Sequence, residues 1–302
     1  FAGMLALAAS NRFVLTPHLG SALEDDHARP LALRRLRRSL ALETVLAALL
    51  LAIPLSLVAG RTWIFGIEES RAMLIVAELR LPRALLAVTV GAGLGAAGAA
   101  MQGYLRNPLA DPGLFGIAPG AALGAVLSFS FGLAASGWLL PILSLAGAGA
   151  AMALLALLAG RGGGIALFTL AGLMIASLAG ALTSLVISLA PNPWALSEIV
   201  TWLMGALTDR SWADVMLAAP MTLAGIVVLA RAAPALDALT LGEDAARSMG
   251  VDMEKLLMLL VAGVGLTIGS GVAVAGIIGF VGLMVPHILR PLTDPPPSSL
   301  IV

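Results

Sequence analysis

Thr240-Leu-Gly-Glu-Asp-Ala-Ala-Arg-Ser-Met-Gly250 is a short charged island between two segments too apolar to be anything but membrane-spanning, and its reading decides the fold. Thr240 followed three residues later by Glu243 predicts a capping box. Gly250 stands where a left-handed C-terminal residue is wanted, and about two turns of helix fit between. Leu241, Ala245 and Met249 fall at i, i+4 and i+8 on one narrow apolar stripe, with Glu243, Asp244 and Arg247 on the other faces. A helix this short is marginal alone in water, so it needs a surface to pack against, in its own protein or in another. Taken singly, these residues read as an ordinary surface helix in a loop.

The composition around the island is that of an integral membrane protein. The 302 residues are 60% hydrophobic and 11% charged, where a soluble domain carries about 25% charged residues. The formal net charge is zero, which gives no sign of a nucleic-acid partner. There is no cysteine, so disulfides, thiolate chemistry and cysteine-ligated metal are excluded. His18, His27 and His287 are too scattered to form a metal site by spacing, and nothing calls for a cofactor. The 34 glycines, with many alanines, predict helices packed through small residues.

Residues 1–14 are apolar but short of the ~20 that a span requires; the chain does not begin with Met, and this stretch reads as the tail of a helix. Residues 24–39 carry Arg29, Arg34, Arg35, Arg37 and Arg38, the clustering expected on the cytoplasmic side. Spans are predicted at 40–60, 84–105, 115–135, 139–160, 165–190, 213–230 and 256–275. Residues 63–81, with Glu68, Glu69, Arg71, Glu78 and Arg80, read as an external loop with a short helix. Residues 106–113 form a turn rich in breakers, and 191–212 a half-polar external stretch. Alternation places Arg106, Arg161 and residues 231–255 in the cytoplasm, so the 240–250 island is cytoplasmic. The return segment 276–289 is too short for a full span and predicts a partial or oblique helix. The last residues read as the start of another apolar segment, cut at its end.

Within this frame several blocks resemble a known family. Arg80-Leu-Pro-Arg83, Gln102 with Arg106-Asn-Pro-Leu-Ala-Asp-Pro (Asn107 and Pro108 at its centre), and Gly116-Ile-Ala-Pro-Gly-Ala121 are similar to the opening signature of permease subunits of ABC importers for iron–siderophore complexes, haem and cobalamin. Trp202-Leu-Met-Gly205, the 241–250 island, and Gly276-Ile-Ile-Gly-Phe-Val-Gly-Leu-Met-Val-Pro-His-Ile-Leu-Arg290 continue the resemblance in the family's order and spacing. In the last block Gly276, Gly279, Gly282, Pro286, His287 and Arg290 are the matching positions.

The resemblance implies an all-α polytopic membrane bundle, a type II ABC importer permease of ten spans whose last two are absent from this chain. It implies a second permease subunit as a homodimer or close relative, two ATPase subunits beneath, and a periplasmic substrate-binding protein above, in a bacterial inner membrane. Thr240, Leu241, Gly242, Glu243, Ala245, Ala246, Arg247, Met249 and Gly250 match the segment that rests in a cleft of the ATPase. Arg80 and Arg83 match arginines that meet acidic groups of the binding protein; read from the residues alone they are snorkelling at a helix end. The domain reading is 1–55 as an atypical amino-terminal segment and 56–302 as the permease. Residues 1–17 and 33–43 resemble the end of a copper-resistance inner-membrane protein, which makes the chain a natural fusion, a gene-model error or a composite; no copper function follows.

No Gly-x-x-x-x-Gly-Lys-Ser/Thr occurs, and Lys255 is the only lysine, so ATP hydrolysis falls to a partner chain and the protein is a transport subunit, not an enzyme. Few ionisable residues fall inside the predicted spans, so the carboxylate relay of a proton-coupled transporter is missing. Thr183, Ser184 and Ser188 either line a pathway or bond their own helix carbonyls. No residue selects among ferric siderophore, haem and cobalamin.

Overall fold

The computed structural model describes residues 25–59, 68–160, 164–290 and 298–301. The readings of residues 1–14 and Arg161, and most of the copper-resistance resemblance, lie outside them. The chain divides into two compact units, Phe1–Val45 and Leu46–Val302. In the first, the described residues are helical from Asp25 onward.

The described residues form helices α1 (Asp25–Val58), α2 (Glu69–Leu105), α3 (Ile117–Ser130), α4 (Leu139–Ala159), α5 (Ile165–Ser188), α6 (Pro193–Leu203), α7 (Trp212–Leu239), α8 (Glu243–Ser248), α9 (Met253–Ala275), α10 (Val281–Leu289) and α11 (Ser298–Ile301). Five of them, α2, α4, α5, α7 and α9, are long and apolar enough to cross a membrane. The most apolar stretch of α9 is 78% buried against 28% for α4, α5 and α7, which makes α9 the axis of the unit. It is flanked by α7, α4, α2 and α3.

Small residues set the helix contacts, as expected where lipid offers no hydrophobic drive between helices. α3 crosses α4 where Gly120 and Gly147 face each other and Gly124 lies on the Leu143 carbonyl; α7 meets α9 through Gly225 and Gly263. In α2, Gly98 lies directly on the Gly282 carbonyl at the head of α10, so any Cβ there would strike backbone.

Helix ends follow from the residues at them. Asn192 accepts the Ala195 N–H at 2.8 Å with Pro193 opening α6. Ser211 and Asp214 form a capping box on α7. Asp252 accepts the Glu254 and Lys255 N–H groups at 3.0 Å to open α9.

Three expectations are corrected and one is refined. The described part of the 63–81 stretch is not a loop with a separate helix: from Glu69 the chain is helical without interruption through Leu105, the turn Ile75–Arg80 being π-helical. At 1.5 Å per residue this run is ~55 Å long, longer than the ~30 Å hydrocarbon core, so its charged first turns stand outside the membrane. The span predicted at 115–135 is only the 14-residue α3, because Gly132 (φ +69°) breaks the helix and a 3-10 turn follows at Leu133–Ser136. The 191–212 stretch contains the 11-residue α6. The span predicted at 213–230 continues to Leu239 despite Pro234.

The partial helix expected at 276–289 is present. After α9 ends, residues 276–280 are not helical, and α10 follows. Such a segment reaches up to about 20 Å. Gly282 lies against Leu94 and Gly98, ~20 Å or more along α2 from Leu81. Non-helical backbone is thus carried to membrane depth inside protein, where it is tolerated. It meets the turn after α2 there: Pro112 touches Gly282, and both segments line a cavity of ≈460 Å³ with Val90, Leu94 and Ile268.

Candidate functional site

The turn after α7 positions the short helix. Thr240 closes α7 and its hydroxyl donates to the Asp237 carbonyl at 2.7 Å, so the capping box expected from Thr240 and Glu243 does not form. The helix instead starts after Gly242 at φ +110°, a conformation open to glycine. Glu243 is used differently: its carboxylate takes Arg247 Nη2 at 2.8 Å one turn on, and lies beside Gly164 at the amino end of α5, where a negative charge is favoured. That hydrogen bond, with the charges of Glu243 and Asp244, raises the Arg247 pKa above its ordinary value.

The far end closes as expected from Gly250. Val251 N–H reaches the Ala246 carbonyl, Gly250 N–H reaches that of Arg247, and Gly250 takes φ +87°. Ala246 is the residue this helix buries in its own protein, at 0% exposure. Leu241 and Met249 point away, 69% and 63% exposed. Ala245, between them, is half-buried. The stripe seen in the sequence is therefore real but faces outward, and two large apolar side chains flank a short charged helix that is closed at its carboxyl end by Gly250.

The other predicted residues fall in two places. Gln102 is buried at the end of α2; its Nε2 donates to the Leu283 carbonyl at 3.2 Å and its Oε1 accepts from Arg290 Nη2 at 3.1 Å. Two motifs about 180 residues apart are thereby joined, with Pro286 and Gly282 buried beside them. Arg106 ends α2 at φ +50°, the Asn107 side chain accepts the Leu109 N–H at 3.0 Å, and Pro108 is exposed. Gly276 takes φ +72° and lies on the Trp202 carbonyl, Gly279 borders the cavity, and His287 is exposed. Among the described residues no group of three or more metal-ligating side chains occurs. Ser188 bonds the Leu185 carbonyl of its own helix.

At the opposite end of the spans, Arg80 Nη1 donates to the Leu57 and Val58 carbonyls at 2.8 Å each, tying α2 to the carboxyl end of α1, while Arg83 is exposed. Sequence reasoning missed Arg210. Its guanidinium lies 4.9 Å from the centre of the Trp202 ring, which in turn meets Phe129. Burial lowers the Arg210 pKa, with Asp214 and Asp209 opposing. Eight residues separate Trp202 from Arg210 across the Gly205 turn, a spacing with no periodic signature.

A profile of the FecCD transport family matches residues 40–302. The chain belongs to that family. Among its FecCD relatives, the uncharacterized ABC transporter permease protein YvrB of Bacillus subtilis is 43% identical over 223 residues, 72% of this chain and 62% of that protein. The cobalamin import system permease protein BtuC of Halobacterium salinarum is 37% identical, over 76% of this chain and 62% of that protein. The Fe(3+)-citrate import system permease protein YfmD of B. subtilis is 36% identical, over 79% and 71%. The chain thus spans 62% of the length of the first two of these relatives. A solved structure described as an inward-facing metal-chelate type ABC transporter superposes with a TM-score of 0.79 at 30% identity, covering 87% of this chain and 84% of that one. The all-helical architecture of the described residues agrees with that solved structure.

Proposed function

We propose that this FecCD chain is the permease subunit of an ATP-driven importer that carries a metal chelate, a ferric siderophore or haem, across a bacterial inner membrane. The observation that carries the reading is α8: a short helix bounded by Gly242 and Gly250 and held by Ala246 and Glu243, that leaves Leu241 and Met249 exposed in the aqueous loop between α7 and α9. Such a knob suits a cleft in a separate ATPase subunit, since exposed apolar side chains rimmed by charge mark interaction sites. Two ATPase subunits closing would push two such helices, one from each permease copy, and α7 and α9 would transmit the motion as alternating access. On the other side Arg83, with Arg80 behind it, would receive acidic groups of a substrate-binding protein. Cobalamin is the second reading, favoured by the relatives named for its import.

The test is reconstitution of the full-length protein with its ATPase and binding protein in liposomes, and uptake of ferric siderophore, haem and cobalamin with and without ATP. ATP-dependent accumulation of one of them is expected; accumulation driven by an ion gradient alone would overturn the proposal. Leu241→Asp and Arg247→Glu are expected to abolish ATPase association while the permease remains folded in the membrane.

A further inference from the structure

Glu243 of α8 faces two partners. Its carboxylate takes Arg247 Nη2 at 2.8 Å, and its two oxygens lie 3.6 and 3.9 Å from where a Cβ on Gly164 would be. Gly164 opens α5 in an extended conformation, and its carbonyl accepts the Leu167 and Phe168 N–H groups at 3.0 and 3.2 Å. A carboxylate placed there meets the positive end of a 24-residue helix. Of the ion pair, Arg247 is the outer member and Glu243 the inner, with side chains 53% and 28% exposed.

The same turn of α5 is held from within the protein. The Phe168 ring meets Tyr104, at the end of α2, edge-on at 5.2 Å and 81°, and stacks on Phe115 at 5.4 Å and 25°, both geometries that aromatic pairs favour. All three rings are buried. One turn along α5, a Cβ on Gly172 would stand 2.8 Å from the Phe115 ring, and Ile175 lies against Gly116. Phe168, Gly172 and Ile175 fall at i, i+4 and i+7, so one face of α5 carries the whole contact. Phe115 follows the turn Pro112–Leu114, and Leu114 and Ala118 on either side of it line the ≈460 Å³ cavity. Among the described residues α5 packs chiefly on α3, on α4 and on that turn, whereas the largest contact of α7 and of α9 is with each other.

We propose that Glu243 and Phe168 are positioning residues for energy coupling: Glu243 ties α8 to the start of α5, and Phe168 passes a displacement of that turn through Tyr104 and Phe115 to the wall of the cavity. The inference rests on α8 being the part of the permease that an ATPase subunit moves. The carboxylate travels with α8 and draws the positive end of α5 after it. A close-packed triad of buried rings has little compressibility, so the shift is handed on to the turn after α2 and is not absorbed in place. This route runs beside the one through α7 and α9 and reaches a helix that those two do not chiefly hold.

The experiment has two arms. In the first, the full-length permease alone in phospholipid nanodiscs is followed by amide hydrogen exchange at Leu167 and Phe168. Glu243→Gln is expected to speed exchange there about two- to fivefold, the effect of one charge at a helix end. Glu254→Gln, an exposed carboxylate at the start of α9, is expected to leave it unchanged. In the second arm the permease with its ATPase and binding protein in liposomes is assayed for ATP hydrolysis and for uptake of whichever of ferric siderophore, haem and cobalamin the wild type accumulates. Phe168→Leu and Tyr104→Leu are expected to hydrolyse ATP but to carry about fivefold less substrate per ATP, within the range for residues on a coupling route. Tyr104→Phe keeps the ring and is expected to keep the wild-type ratio. Unchanged exchange in Glu243→Gln would overturn the link between α8 and α5, whether or not the protein transports. Hydrolysis and uptake falling together in the leucine variants, at a constant ratio, would show a role in stability alone and sink the route through the rings. A wild-type complex without ATP-driven uptake would instead overturn the transport reading and with it the coupling role, the exchange arm still deciding the contact.

Discussion

Helix α8 and the junction of α2 with α10 are built from the same kinds of residues, glycine and a few polar side chains, and they do opposite things with them. At the junction, Gly98 and Gly282 bring backbone onto backbone, and the buried Gln102 bonds both the Leu283 carbonyl and the guanidinium of Arg290, which is itself exposed. In α8, Gly242 and Gly250 only turn the chain, nothing lies within 4 Å of where their Cβ atoms would be, and the ion pair of Glu243 and Arg247 is half in solvent. Glycine holds the fold together in one place and frees a surface in the other. A permanent contact removes polar groups from solvent, whereas a docking surface must keep its apolar groups exposed until a partner arrives.

The largest test of this contrast is Gly98→Leu. The new side chain collides with the Gly282 backbone, and a loss of about 3 kcal/mol or more is expected, read as loss of monodisperse protein and of the thermal transition. Gly91, on the same helix with open space around it, is the control: Gly91→Ala should gain about 0.5–1 kcal/mol, and a loss of similar size in both would dissolve the distinction. Gln102→Ala removes the bridge between α2 and α10 and leaves the Leu283 carbonyl and Arg290 without it, costing about 1–3 kcal/mol by thermal unfolding. Gly250→Ala forces an L side chain into the left-handed region at about 1–2 kcal/mol, with local exchange of the α8 amides rising before any global change. Thr240→Ala should stay within about 0.5 kcal/mol, since its hydroxyl meets only the Asp237 carbonyl; a larger effect on α8 would restore the capping box.

Much of this was legible because lipid is an unforgiving solvent. Runs of apolar residues had to be spans, and the charged island between two of them had to be a water-side loop with a capped helix. The left-handed role of Gly250 was readable because few residues tolerate that conformation. What escaped has equally physical causes. Glu78 and Arg80 seemed to forbid a continuous helix, yet a helix may extend beyond the hydrocarbon core and keep its hydrogen bonds through a π turn. Thr240 and Glu243 match a capping box in spacing alone, but a hydroxyl that can satisfy the end of the preceding helix need not open the next. Arg210 on Trp202 follows from the Gly205 turn, which the residue order does not announce.

Residue order by itself determined the membrane class, the sites of the breakers, the left-handed Gly250 and the family blocks, because each depends on local solvation or local backbone freedom. Tertiary structure decided which face of α8 is buried and that Gln102 reaches Leu283 and Arg290. Those depend on how distant segments meet at depth, where a single Cβ or carbonyl sets the separation of two helices.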